Sequence, residues 1–164
     1  MIREVENTID IEMTAKLAHK IWNEHYVTII GQNQVDYMLD TFQSAKAIQA
    51  QINDGYRYFL MEHQEKTTGY LCLIEENESQ KLMISKIYTD KAFRGLGLGL
   101  QMIDFAKKTA QKNKLKTIWL TVNKYNSKAI DWYQNLHFKI VKEVKMDIGN
   151  GYIMDDFVLE LKLS

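Results

Sequence analysis

A run of alternating glycines, Arg94-Gly95-Leu96-Gly97-Leu98-Gly99-Leu100, stands between a segment that reads as a strand, Lys81–Tyr88, and one that reads as an amphipathic helix. Glycine takes backbone angles that other residues resist and removes side chains from an approach path. Consecutive N–H groups in such a stretch turn into one concavity, and the helix that follows adds the positive end of its dipole. Arg94 sets a permanent cation at the mouth. The loop therefore suits a phosphate or pyrophosphate, and it needs a strand, a helix and a sheet to hold it.

The chain has 164 residues, 46% apolar and 26% charged, an ordinary globular balance that favours one domain over residues 1–164. Lysine plus arginine number 21 and aspartate plus glutamate also number 21, so the basic face of a nucleic-acid binder is not expected. No apolar run approaches the ~18 residues of a membrane span. Met1–Asp10 mixes acidic and polar residues, so no signal peptide is read. The one cysteine, Cys72, forbids an intrachain disulfide and reads as a buried structural thiol; a cytoplasmic protein is the expectation. The four histidines are scattered and no Cys/His cluster has ligand spacing, so no metal is expected. The absence of a Gly-x-Ser-x-Gly elbow removes serine-hydrolase chemistry.

Leu17, Ile21 and His25, flanked by Ala18 and Trp22, predict a first helix, and Val35–Leu39 reads as a further turn of helix. Ser44 is placed to cap a helix whose Ala45, Ile48 and Ile52 face one way and which Gly55 ends. Strands follow at Tyr56–Glu62, Gly69–Ile74 and Lys81–Tyr88, joined by polar turns at Glu65–Thr68 and Glu75–Gln80, which predicts an antiparallel meander. Met102, Ile103, Ala106 and Ala110 form a helical stripe after the glycines. Ile118–Val122 is an apolar run expected of a strand buried on both faces and parallel to Lys81–Tyr88. Ser127–Leu136, with Asn126 as cap, is another helix, and Phe157–Leu163 alternates as a half-buried strand. The predicted fold is mixed α/β: a central mixed sheet, an antiparallel meander plus one parallel strand–helix–strand unit, flanked by helices.

A P-loop would end in Gly-Lys-Ser/Thr, but Gly99 is followed by Leu100 and Gln101. A dinucleotide fingerprint would place Gly or Ala where Leu100 or Met102 stands, and an acid after the next strand, where the chain reads Val122-Asn123-Lys124. The pattern Arg-x-x-Gly-x-Gly, realised by Arg94, Gly97 and Gly99 after Ile87-Tyr88-Thr89, instead resembles the acetyl-CoA loop of the GCN5-related N-acetyltransferases (GNAT). Asn126, Ala129, Trp132-Tyr133 and Phe138 resemble that family's last motif, and the order of elements matches over about the whole chain.

The resemblance implies acetyl-CoA as cofactor and direct transfer of an acetyl group to a primary amine, without a covalent enzyme intermediate. It implies that the backbone of Ile87, Tyr88 and Thr89 pairs with the pantetheine arm. The amides of Gly95, Leu96, Gly97, Leu98, Gly99 and Leu100 would hold the pyrophosphate with Arg94 assisting, and Asn126 would contact the cofactor. Tyr133 would sit near the sulfur as general acid, a role suited to a phenol, which keeps its proton at neutral pH yet can protonate a leaving thiolate. Some members carry a glutamate on the strand matching Lys81–Tyr88; here that strand offers only Ser85 and Lys86, and the base stays unassigned. Where the family has glycine before Phe138 this chain has His137, expected in a left-handed conformation.

In this family the N-terminal helices and the last hairpin form the acceptor cleft. Trp22, Glu24 and Tyr37 are the candidate lining residues, with Asp155 and Asp156 beside the last strand, and Lys124 or Lys128 for the cofactor's 3′-phosphate. The run Asp147–Asp156 is similar to small bacterial members grouped with spermidine and spermine acetyltransferases, which makes a polyamine the first acceptor class. A protein N-terminal α-amine is the second. A non-catalytic acyl-CoA-binding module is the alternative of another class, and a homodimer is in keeping with the family.

Overall fold

In the computed structural model, which describes residues 1–164, strand β1 (Ile2–Glu4) leads to Asn7, whose side chain accepts from the Asp10 N–H at 2.9 Å and opens helix α1 (Thr8–His25). The stripe foreseen from spacing is the buried one, with Leu17, Ala18, Ile21 and Trp22 facing inward and His25 half-buried. A single turn, α2 (Val27–Ile30), is broken by Gly31 at φ 85°, and α3 (Gln32–Phe42) then buries Val35, Met38 and Leu39. It is longer than the expected turn because its polar residues lie on the outer face of one continuous helix. Ser44 caps α4 (Ala45–Asn53), its hydroxyl accepting from the Ala47 N–H at 3.1 Å.

Strands β2 (Arg57–His63) and β3 (Lys66–Glu76) form an antiparallel hairpin turned by Gln64 and Glu65 alone, at φ 51° and 64°. The polar residues that had suggested a turn to Thr68 are strand residues; Thr68 is buried, its hydroxyl donating to the Met61 carbonyl at 3.2 Å. Tyr58–Met61 and Tyr70–Leu73 are buried without alternation, the signature of strands covered on both faces. Cys72 is among them.

The next strand, β4 (Lys81–Thr89), pairs in parallel with β5 (Thr117–Asn123), with Lys81–Met83 against Thr117–Trp119, and α5 (Leu98–Lys112) is the crossover. After α6 (Ser127–Asn135) come β6 (Lys139–Gly149) and β7 (Tyr152–Lys162), an antiparallel pair whose β7 also pairs antiparallel with β5. The seven-stranded mixed sheet has the order β1-β2-β3-β4-β5-β7-β6, with helices flanking it, as the predicted fold class required. By its internal contacts the chain divides into one unit of Met1–Ile74 with Ser85–Phe105 and another of Glu75–Ile84 with Ala106–Ser164.

Three expectations about the second unit need correction. β5 alternates instead of being buried on both faces: Ile118, Leu120 and Val122 are buried, whereas Trp119 and Thr121 are half-buried on the other face, where the Trp119 indole N–H donates to Glu76. In β7 the strict alternation fails, since Val158 is buried as deeply as Leu159 and Phe157 only half. Asn126 precedes α6, but its side chain makes no capping bond. His137 adopts φ 74°, the left-handed conformation expected of it.

Candidate active site

In the first unit the end of β4 is fixed by buried groups. The Asp90 N–H donates to the Thr68 carbonyl at 2.8 Å, and the Asp90 carboxylate accepts from Lys20 at 2.7 Å and from the Ala92 N–H at 3.1 Å, starting a 3-10 turn over Lys91–Phe93. Burial pushes this carboxyl up, but Lys20, the Ala92 N–H and the Arg94 charge together hold it below its usual range. Gly69 on β3 is required by space: a Cβ there would lie 2.6 Å from the Tyr88 carbonyl oxygen and 3.5 Å from the Thr89 Cα. Neither Asp90 nor Gly69 was singled out from sequence. Gly69 carried a readable signal, since glycine inside a strand often marks close backbone approach.

Beyond this anchor, Arg94 is exposed and Gly95 and Gly97 take φ 83° and 76° with open space where a Cβ would stand. These two glycines serve conformation. Gly99, expected to share that role, already belongs to α5. Leu98 is 3% exposed and pins the helix start, while Leu96 and Leu100 project outward on either side. The first-turn N–H groups of a helix have no acceptor within it and carry the positive end of its dipole. An exposed cation, two left-handed glycines and this helix start fit an anionic diphosphate group.

Ile87, Tyr88 and Thr89 are half-buried at the end of β4. The Tyr88 ring meets those of Trp22 at 5.7 Å, Tyr26 at 6.1 Å and Tyr70 at 5.3 Å. Trp22, expected to line the acceptor cleft, is only 3% exposed and belongs to this aromatic core. Glu24 is exposed on α1, and Tyr37 meets Phe42 edge-to-face within α3, ring centroids 6.4 Å apart, so the structure associates Trp22 with Tyr88 and Tyr37 with Phe42. Lys86 is buried, its ammonium donating to the Phe42 carbonyl at 2.7 Å, to Gln51 at 3.0 Å and to the Tyr58 hydroxyl; burial lowers it to about 8. It ties α3 and α4 to the sheet.

In the second unit, Asn126 is 6% exposed at the turn into α6, and Tyr133 is 7% exposed with its ring 5.6 Å from that of Phe138. Trp132, its neighbour, is at the surface. Lys124 is held by Glu143 and Asp155, both at 2.9 Å, so the charge expected to meet a 3′-phosphate is already matched; Lys128 is exposed.

The sequence pattern of the Acetyltransferase (GNAT) family matches residues 17–138, and the chain belongs to that family. Over 115 residues it is 29% identical to an uncharacterised N-acetyltransferase from the pepI 3′ region of Lactobacillus delbrueckii subsp. lactis, covering 66% of either chain. Over 95 residues it is 28% identical to the 5-NmdU N-acetyltransferase of Pseudomonas phage PaMx11, covering 58% of this chain and 65% of that one. The chain thus spans just under two thirds of these relatives' own lengths. Its fold is similar to that of the PaiA N-acetyltransferase from Thermoplasma acidophilum in complex with coenzyme A, with a TM-score of 0.80 at 18% identity over 99% of this chain and 98% of that one. No helix is long and apolar enough to cross a membrane.

Proposed function

We propose that the chain is an acetyl-CoA-dependent N-acetyltransferase, a single domain over residues 1–164 that moves an acetyl group directly to a primary amine. The observation that carries this reading is the loop Arg94–Leu100, with two left-handed glycines, an exposed arginine and the start of α5, fixed by buried Asp90. Family membership and the coenzyme A bound to the PaiA structure support it. Held by the loop of this chain, acetyl-CoA would supply an acyl group activated as a thioester. The N–H groups from Gly95 to Leu100 hold the pyrophosphate, Arg94 adds its cation, and the Ile87–Thr89 backbone lines the arm. Asn126, buried and with no capping bond from its side chain, contacts the cofactor. Tyr133 gives its phenolic proton to the leaving sulfur.

Among acceptors a polyamine comes first, on the likeness of Asp147–Asp156 to the spermidine and spermine acetyltransferases. Calorimetric titration with acetyl-CoA tests the loop. Thiol release with spermidine, spermine, 5-NmdU and N-terminal peptides then tests the transfer; 5-NmdU joins the panel because a relative is named for it. Binding with release by one amine class is the expected result. Binding without release from any amine favours the acyl-CoA-binding module, and absence of binding overturns the loop assignment. Tyr133→Phe should lower kcat about 100-fold, the scale of a lost general acid, and leave acetyl-CoA affinity within about twofold.

A further inference from the structure

Two consecutive aspartates on β7 face opposite sides of the sheet. Asp155 meets Lys124 at 2.9 Å. Asp156 stands opposite Asn123 of β5 and Val144 of β6, is 2% exposed, and has a buried Oδ1 with no hydrogen-bond partner. Thr121, a half-buried β5 residue, lies diagonal to it on the same face, and its hydroxyl draws the carboxyl downward. Buried carboxylates ordinarily spend both oxygens on donors, so the orphan is unusual. Thr121 and Asn123 occupy the carboxyl-terminal half of β5, from which the chain leads into Asn126 and Tyr133, and strand carboxyl ends are where ligands gather in open α/β sheets.

We propose that Thr121 and Asp156 form a proton relay, in which Asp156 is the proton acceptor that neutralises the incoming amine. This rests on the acetyltransferase reading and supplies the base that β4 lacks. An ammonium N–H bond breaks and its proton passes to the Thr121 hydroxyl oxygen, whose own proton moves to the Asp156 carboxylate. The freed nitrogen pair forms the N–C bond to the acetyl carbon. The C–S bond breaks with its electron pair leaving on sulfur, which Tyr133 protonates, and Tyr133 is restored by the second proton that nitrogen loses. The proton on Asp156 returns to water, so one proton is released per transfer.

Within this unit the charged groups facing Asp156 are Lys142, diagonal on β6 and exposed, and Glu160 along β7, itself 3.0 Å from Lys81; Asp155 adds a like charge from the adjacent position. Burial pushes the Asp156 carboxyl up to about 6, the Thr121 hydroxyl draws it back, and Asp155 adds to the rise. A base near neutrality suits this task.

The test compares wild type with Asp156→Asn, Thr121→Val and Thr121→Ser by thiol release against pH, by acetyl-CoA titration and by carbon-13 titration of the carboxyl. Wild-type kcat/KM should fall on the acid side of about 6. Asp156→Asn should lose that limb and about 100-fold in kcat/KM, Thr121→Val should follow it, and Thr121→Ser should recover most activity, with acetyl-CoA affinity unchanged in all three. Independently of turnover, the carboxyl should titrate near 6 and move upward in Thr121→Val. A midpoint in the ordinary carboxylate range, or Asp156→Asn with its activity and acid limb intact, overturns the relay alone. Wild type that binds acetyl-CoA and turns over no amine overturns the transferase reading and the relay with it.

Discussion

Asp90 and Asp156 are almost equally buried, 3% and 2% exposed, yet their environments push them in opposite directions. Asp90 has a cation, a backbone N–H and a nearby arginine, and is held below the usual carboxylate range. Asp156 has one hydroxyl, a like-charged neighbour and an orphan oxygen, and rises to about 6. Burial alone does not define a carboxylate's role; the donors gathered around it do. The first group is an anchor that starts a loop, and the second keeps an oxygen without a donor.

The comparison breaks most visibly in stability. The folded-state value of Asp156 lies above its unfolded one, so its neutral form stabilises the fold in acid, and that stability is lost as pH rises through about 6. Asp156→Asn should therefore unfold later than wild type above that pH, with the gain vanishing below about pH 4. The gain should reach up to about 3 kcal/mol, because each tenfold change in proton affinity between the folded and unfolded chain is worth about 1.4 kcal/mol. Chemical unfolding across a pH series measures it, and destabilisation at about pH 8 would remove the contrast. Asp90 has the reverse sign: its stability is present above the ordinary carboxylate range and is lost as pH falls through its lowered value. Asp90→Asn should cost about 2 kcal/mol at neutral pH, the scale of hydrogen bonds to a charged group, and weaken acetyl-CoA binding about tenfold in calorimetry.

Two smaller effects sharpen the same contrast. Gly69→Ala pushes a methyl against the Tyr88 carbonyl and should cost about 1–2 kcal/mol, as overpacking does, with a matching loss of acetyl-CoA affinity if the β4 end positions the loop. Lys20→Met takes the cation from a carboxylate whose side chain is only 5% accessible and leaves it the Ala92 N–H, so Asp90 should rise and the melting temperature should fall at neutral pH, the loss shrinking in acid as the carboxyl takes up a proton.

What was legible in the sequence was local. The glycine loop, the Ser44 cap, the α1 stripe and the β4–α5–β5 unit are encoded within a few residues of where they act. His137 was legible because only the φ of a missing glycine was at stake. Strand β1 escaped because it has three residues, and β6 because nearly all of it is exposed, leaving no alternation to read. Asp90 escaped because its partner Lys20 lies 70 residues away. Asp155 and Asp156 are chemically identical in sequence; only strand register sets one beside Lys124 and the other beside Thr121. Lys86 shows the same limit, since its three acceptors come from α3, α4 and β2.

The burial of Cys72 has a practical consequence at the bench. The protein's only sulfhydryl is inaccessible, and burial pushes its thiol up to about 12, so at neutral pH it is silent toward electrophilic dyes while the chain is folded. A disulfide-exchange reagent added during turnover would therefore register product without background from the catalyst. The same reagent in denaturant would register one sulfhydryl per chain as the sheet opens. One colorimetric channel thus reports turnover and unfolding separately, which suits every variant named above.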